Sequence, residues 1–208
     1  NWISVEFALL YRWHDLVPEQ LTVGDDVLPS PKFRKANAWL KRHGLGAVLK
    51  AASEQPAGRI GLGNTADFLL EVKRLSVEMG RACGLPSYNA YREHYGLKRI
   101  ADFATLTRDA NRAEQLRALY GDIDRLEWFV GLFAEGYGES HMMGELLTGM
   151  VANDAFTQAL TNPLLAKAVY NERTFGPEGM KIVDETRSLA QVAARNTGRP
   201  VSDFGFKL

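Results

Sequence analysis

The 208-residue chain carries 25 basic and 25 acidic side chains, so its formal net charge at neutral pH is zero, and 46% of its residues are hydrophobic. That balance is a poor footprint for nucleic acid, which attracts basic stripes to its phosphates, and no apolar run approaches the roughly 20 residues that a membrane-spanning helix needs. A single cysteine, Cys83, excludes an internal disulfide framework and any multi-cysteine metal site, and no signal peptide or lipidation motif is recognisable.

Ile3, Phe7, Leu10 and His14 fall at i, i+4, i+7 and i+11, which predicts one face of a helix that Pro18 ends, with Tyr11 beside that face. "LTVGDDVL" (21–28) predicts a small β-hairpin turning at Gly24-Asp25-Asp26. Helices are expected over 32–43, ending near Gly44, and over 45–53. "EQPAGRIGLGN" (54–64) reads as a loop; its Gly61-x-Gly63 pair lacks a preceding strand and a third glycine, so it is no dinucleotide fingerprint. Asn64 or Thr65 can cap the next helix, whose expected buried stripe is Phe68, Val72, Leu75 and Met79 and which stops at Gly84-Leu85-Pro86. A helix starting near Ser87 carries Tyr88, Asn89, Tyr91, Arg92 and Tyr95. Further helices are expected at about 110–119, 122–135 and within 139–168, and a last one from about 177 to 196. The predicted fold class is mainly α, with that one hairpin.

Four histidines, His14, His43, His94 and His141, stand without HxxxH or HExxH spacing. A metal centre would therefore rest on one histidine or on scattered carboxylates, which favours haem, since haem needs only one axial protein ligand. His14 in "LLYRWH" admits two readings. A lone histidine on an apolar face is more often a core residue bonded to a carbonyl. Alternatively, a desolvated neutral imidazole there ligates a metal, and Tyr11 one turn away exchanges an electron or hydrogen atom with it. Asn89 and Arg92, at i and i+3, are likewise either parts of a capped amphipathic helix or an amide that orients an imidazole beside a guanidinium that neutralises a carboxylate. Asp122 and Asp124 open a helix, where acids favour the dipole, and are not read as a catalytic pair. Trp128, Phe129 and Phe133 read as core, and Cys83 as a small packing residue.

"EFALLYRWHDLVPE", "GLPSYNAYREHYGL", "LYGDIDRLEWFVGLFAE" and "TFGPEGMKIVDETRSLAQVAARNTG" occur in that order. Together they resemble the C-terminal half of the cyclooxygenase-like branch of the animal-type haem peroxidase superfamily, which includes fatty-acid (linoleate) dioxygenases. The likeness covers about residues 3 to 198. It implies a helical haem-peroxidase (cyclooxygenase-like) fold, with residues 1–208 forming the C-terminal portion of a single catalytic domain that holds haem b (iron protoporphyrin IX). His14 becomes the axial iron ligand, Tyr11 the radical site, and Trp13 a residue facing the substrate cavity. Asn89 is expected to hydrogen-bond the proximal histidine and Arg92 to meet a haem propionate. Met143, Leu147 and Thr157 align with the apolar fatty-acid channel. The implied chemistry uses a hydroperoxide to oxidise the haem, Tyr11 to abstract hydrogen from an unsaturated fatty acid, and O2 to add to the carbon radical. A plain haem peroxidase oxidising small aromatic donors, and a helical scaffold that binds no haem productively, are the alternatives. In that family the distal histidine lies upstream, and this chain begins 13 residues before His14, so the distal half is an expected partner on another segment or chain.

Overall fold

The computed structural model describes residues 3–139, 141–198, 200, 201, 204 and 205. In chain order come α1 (Val5–Leu10), a 3₁₀ turn (His14–Leu16), β1 (Gln20–Val23), β2 (Asp26–Pro29), α2 (Ser30–Phe33), α3 (Asn37–His43) and α4 (Leu45–Glu54). They are followed by α5 (Leu70–Ala82), α6 (Tyr88–His94), α7 (Phe103–Leu106), α8 (Ala110–Tyr120), α9 (Trp128–Ala134) and α10 (Glu145–Leu160). α11 (Glu172–Glu185) and α12 (Leu189–Thr197) complete the order. The fold is mainly helical, with one antiparallel hairpin in the register Gln20↔Pro29 to Val23↔Asp26.

The contacts divide the chain into two compact units, Asn1–Val17 with Gly58–Phe156, and Pro18–Ala57 with Thr157–Leu208. In the first, α9 is apolar nearly all round, and its Trp128, Phe129, Leu132 and Phe133 are buried. A helix with that composition must be enclosed, and α1, α5, α6, α7, α8 and the start of α10 contribute residues to the core around it. The Trp128 indole N–H donates to Met150 Sδ at 3.3 Å, so the largest core side chain is satisfied without water. Gly131 faces the Tyr88 ring so closely that any Cβ there would collide with it. The Ser87 hydroxyl caps α6 by accepting from Ala90 N–H, and Tyr88 N–H donates to Leu126 O at 2.8 Å, pinning α6 beside the entry to α9.

The second unit has a small core of Trp39, Val48, Ala190 and Ala193. The Gln55 side chain closes the hairpin's edge, accepting from Thr22 N–H at 3.0 Å and donating to Thr22 O at 2.9 Å, as a third strand would.

Several elements differ from the sequence expectation. Helix 1 stops at Leu10 and not near Pro18: Trp13 Nε1–H donates to Leu10 O at 2.8 Å and Arg12 N–H to Leu9 O at 3.1 Å, closing the last turn early. His14 therefore sits in the 3₁₀ turn, off the face of Ile3, Phe7 and Leu10. Phe68, in the 3₁₀ turn before α5 (Asp67–Leu69), and Leu75 and Met79 on α5 are exposed; Ser76 is the buried residue of α5, because its hydroxyl is satisfied by donating to Val72 O and accepting from Arg12 Nη1–H. The expected helix 32–43 is split into α2 and α3, and the expected helix 177–196 into α11 and α12. In the second case Ser188 and Gln191 form a capping box that starts a new helix. Ser140, within the 139–168 stretch, lies outside the described residues.

Candidate functional site: the turn after the first helix

The turn Tyr11–Leu16 gathers three of the predicted site residues. The Tyr11 ring is wedged between Phe7 (centroids 5.1 Å apart) and Trp13 (5.4 Å), and its hydroxyl donates to Asp154 Oδ2 on α10 at 2.7 Å. Partial burial, followed by the Asp154 hydrogen bond and charge, pushes the phenol up to about 12. Both effects disfavour the phenolate.

His14 is half-buried, and its Nδ1 is enclosed without a hydrogen-bond partner. Burial lowers its pKa first; the charges of Lys73 and Arg12 lower it further, while Asp15 opposes them. The imidazole is thus held neutral, with one ring nitrogen uncommitted.

Beneath it lies a buried charge pair. The carboxylate of Asp15, 1% exposed, accepts from Thr65 Oγ1–H and from Gly61 N–H at 3.3 Å, and meets Lys73 Nζ at 3.1 Å. Lys73 also donates to Arg12 O at 3.2 Å and stands 3.5 Å over the Phe133 ring. Burial lowers the Lys73 ammonium, and Asp15 works against that shift. A cavity of about 180 Å³ opens here, lined by Asp15, Lys73, Leu62, Val77, Phe129 and Phe133 among others.

Asn89 and Arg92 are not brought to His14. The Asn89 amide, fully buried, donates to Ile100 O at 2.9 Å and Asp124 Oδ1 at 2.7 Å and accepts from Ile100 N–H at 2.8 Å. Its bonding capacity is spent on holding the loop after α6. Arg92, 3% exposed, donates through Nε to Lys98 O at 2.6 Å, through Nη1 to Glu135 Oε1 at 2.6 Å and Tyr88 Oη at 3.4 Å, and through Nη2 to Glu145 Oε2 at 2.7 Å. In this structure the Asn89 amide and the Arg92 guanidinium are thus both engaged with partners on neighbouring elements and loops. Asp124, read from sequence as a helix-opening acid, is also the acceptor that Asn89 uses.

The channel residues separate as well. Leu147 is 0% exposed and lies in the core of the first unit. Met143 packs half-buried against the same core. Thr157 is exposed and belongs to the second unit.

Sequence reasoning missed Asp154, Asp15, Lys73 and Glu135. Only Glu135 carried a local signal, a carboxylate ending a wholly apolar helix, where burial without a cation is too costly. The others become partners only through tertiary packing. Among the described residues, no group of three His, Cys, Asp or Glu could hold a metal ion, and no helix is long and apolar enough to cross a membrane.

This helical framework is that of the haem-peroxidase class. It superimposes on Arabidopsis thaliana fatty acid alpha-dioxygenase with a TM-score of 0.81 at 22% identity, covering 94% of this chain and 36% of that one. Dictyostelium discoideum peroxidase A gives a TM-score of 0.72 at 19% identity, over 98% of this chain and 41% of that one. The animal haem peroxidase family matches residues 3–203, and the chain belongs to that family. Prostaglandin G/H synthase 1 of Rattus norvegicus is 35% identical over 199 residues, which are 95% of this chain and 33% of the relative. The chain spans about a third of the length of the curated relatives it matches.

Proposed function

We propose that these residues form the proximal, radical-bearing portion of the catalytic domain of a haem-dependent fatty-acid dioxygenase. His14 is the axial ligand of haem b and Tyr11 the redox-active side chain. The observation that carries the reading is the neutral imidazole of His14, with a buried Nδ1 bonded to nothing, three residues after a tyrosine fixed between two aromatic rings. A buried polar nitrogen without a partner costs about 1–3 kcal/mol, a cost that a purely structural core histidine would be expected to avoid by bonding to a carbonyl. Iron ligation requires the unprotonated imidazole, which burial and the neighbouring cations favour. The residues present therefore fit the group.

Haem held at His14 supplies the one-electron oxidising power drawn from a hydroperoxide. The chain's own residues do the rest. Lys73 and Arg12 keep His14 in its ligating form. Phe7 and Trp13 hold the Tyr11 ring in one orientation, and in this reading Trp13 is the residue that faces the substrate. Tyr11, once oxidised, takes a hydrogen atom from a C–H bond of an unsaturated fatty acid, and O2 adds to the carbon radical. Asn89 and Arg92 contribute at a distance, by locking α6 and its loop against α9 and α10.

The test is oxygen uptake with linoleate and trace hydroperoxide after haem loading. Tyr11→Phe is expected to abolish uptake while leaving haem absorption in place; full uptake in Tyr11→Phe would sink the radical role. Turnover of small aromatic donors without lipid oxygenation would instead favour a plain peroxidase.

A further inference from the structure

We infer that Asp154 is the proton acceptor for Tyr11, so that oxidation of the phenol and transfer of its proton to the carboxylate occur as one event. The inference rests on the reading of Tyr11 as redox-active and adds a residue with no other assigned role.

The geometry is direct. Tyr11 Oη donates to Asp154 Oδ2 at 2.7 Å, across 143 residues of sequence, so the contact is built by the fold and not by local chain geometry. Both ends are anchored. The phenol ring is held by Phe7 and Trp13. Asp154 stands on α10, whose preceding turns bury Leu146, Leu147 and Met150 in the core.

The chemistry needs such a group. A phenol that loses an electron becomes a strong acid, and its O–H bond breaks as the electron leaves. The electron goes to the oxidant, which is the peroxide-oxidised haem of the proposed function or a photochemical oxidant in its place. The proton goes to Asp154 Oδ2, giving a neutral carboxylic acid that donates a hydrogen bond back to the phenoxyl oxygen. A base at hydrogen-bond distance removes the wait for a base from solvent. A carboxylate can serve because it accepts a full proton; an amide of the same shape accepts only the hydrogen bond.

The neighbouring phenols and acid have their own settings. Tyr95 lies within reach of the Glu6 and Asp154 charges, and burial with those charges keeps it in its phenol form. Glu6 is itself engaged as the acceptor of the Tyr91 hydroxyl at 2.7 Å.

The experiment uses the 208-residue chain without haem and a flash-generated ruthenium(III) oxidant, and follows phenoxyl absorbance. The Tyr11 signal is the difference between the parent and Tyr11→Phe. In the parent, its formation rate is expected to be independent of the concentration of buffer base. In Asp154→Asn it is expected to fall by roughly a hundredfold and to rise in proportion to buffer base, which a merely structural role for Asp154 would not produce. Buffer dependence in the parent, an unchanged rate in Asp154→Asn, or no signal lost in Tyr11→Phe each overturns the inference. The parent's buffer series decides even if Asp154→Asn fails to fold. Because no haem is present, failure of His14 to bind haem leaves this result untouched, and the two readings fail separately.

Discussion

Arg92→Met should expose the largest electrostatic debt in the first unit. The guanidinium is the cation facing Glu135, which is 8% exposed and 2.6 Å away. Its second acid, Glu145, has a side chain 62% exposed and contributes little. Removing the guanidinium leaves Glu135 with the Leu146 N–H at 3.1 Å and the Tyr88 hydroxyl as its remaining support. Burial already raises the Glu135 carboxyl above its ordinary 4.5, against the pull of Leu146, Tyr88 and Arg92. Without Arg92 the group escapes its charge by taking up a proton. That uptake costs about 1.36 kcal/mol for each pH unit above the ordinary carboxyl range, so the cost is larger at pH 7 than at pH 5. A group whose folded pKa is raised stabilises the fold below its unfolded pKa and loses that contribution as pH rises, so the deficit must grow between pH 5 and pH 7. Loss of the bond to Lys98 O adds about 1 kcal/mol at either pH. The expected deficit at pH 7 is thus about 3–5 kcal/mol, the range for broken buried pairs, and it is smaller at pH 5. Urea unfolding at both pH values, followed by tryptophan fluorescence, measures it. Adding Glu135→Gln, which keeps an acceptor for Leu146 N–H, should recover most of the pH 7 loss. Equal deficits at the two pH values, or no recovery in the double variant, would mean that Arg92 does not offset a buried Glu135 charge.

Three further outcomes are expected. Gly131→Ala drives a Cβ into the Tyr88 ring and should lower stability by about 2–3 kcal/mol, measured by thermal unfolding with Gly149→Ala, which meets open space, as the control. Lys73→Met removes the first-ranking charge that holds His14 down, so the His14 imidazole should titrate at higher pH by proton NMR; a fall would contradict the assignment. Ser188→Ala removes the capping box of α12 and should cost about 1 kcal/mol, read from urea unfolding.

The sequence spoke clearly wherever structure is local. The hairpin follows from Gly24-Asp25 between alternating strands, and Gly24 takes a positive φ of 59° as such a turn requires. Ser87 caps α6 as its spacing indicates, and Gly198, at φ 66°, ends α12. Where partners come from afar, spacing misleads. The i, i+3 relation of Asn89 and Arg92 is real, yet one amide closes a loop and the guanidinium binds two acids on other elements. The apolar stripe on α5 is correctly periodic, but the face that packs is chosen by what lies opposite, here the Arg12 guanidinium reaching Ser76. His14 left the predicted helical face because an indole N–H closed the helix early, a side-chain bond that no periodicity reports. Tyr11 and His14 could be picked out in the sequence; Asp154, Asp15 and Lys73, which set their chemistry, could not.

The central claim is that His14 is the haem ligand. Haemin titrated into the chain and into His14→Gly, with and without free imidazole and followed by resonance Raman of the reduced form, tests it most directly. An iron–histidine stretch is expected in the parent, lost in His14→Gly and restored when imidazole fills the cavity. An unchanged iron–histidine stretch in His14→Gly without imidazole would contradict it.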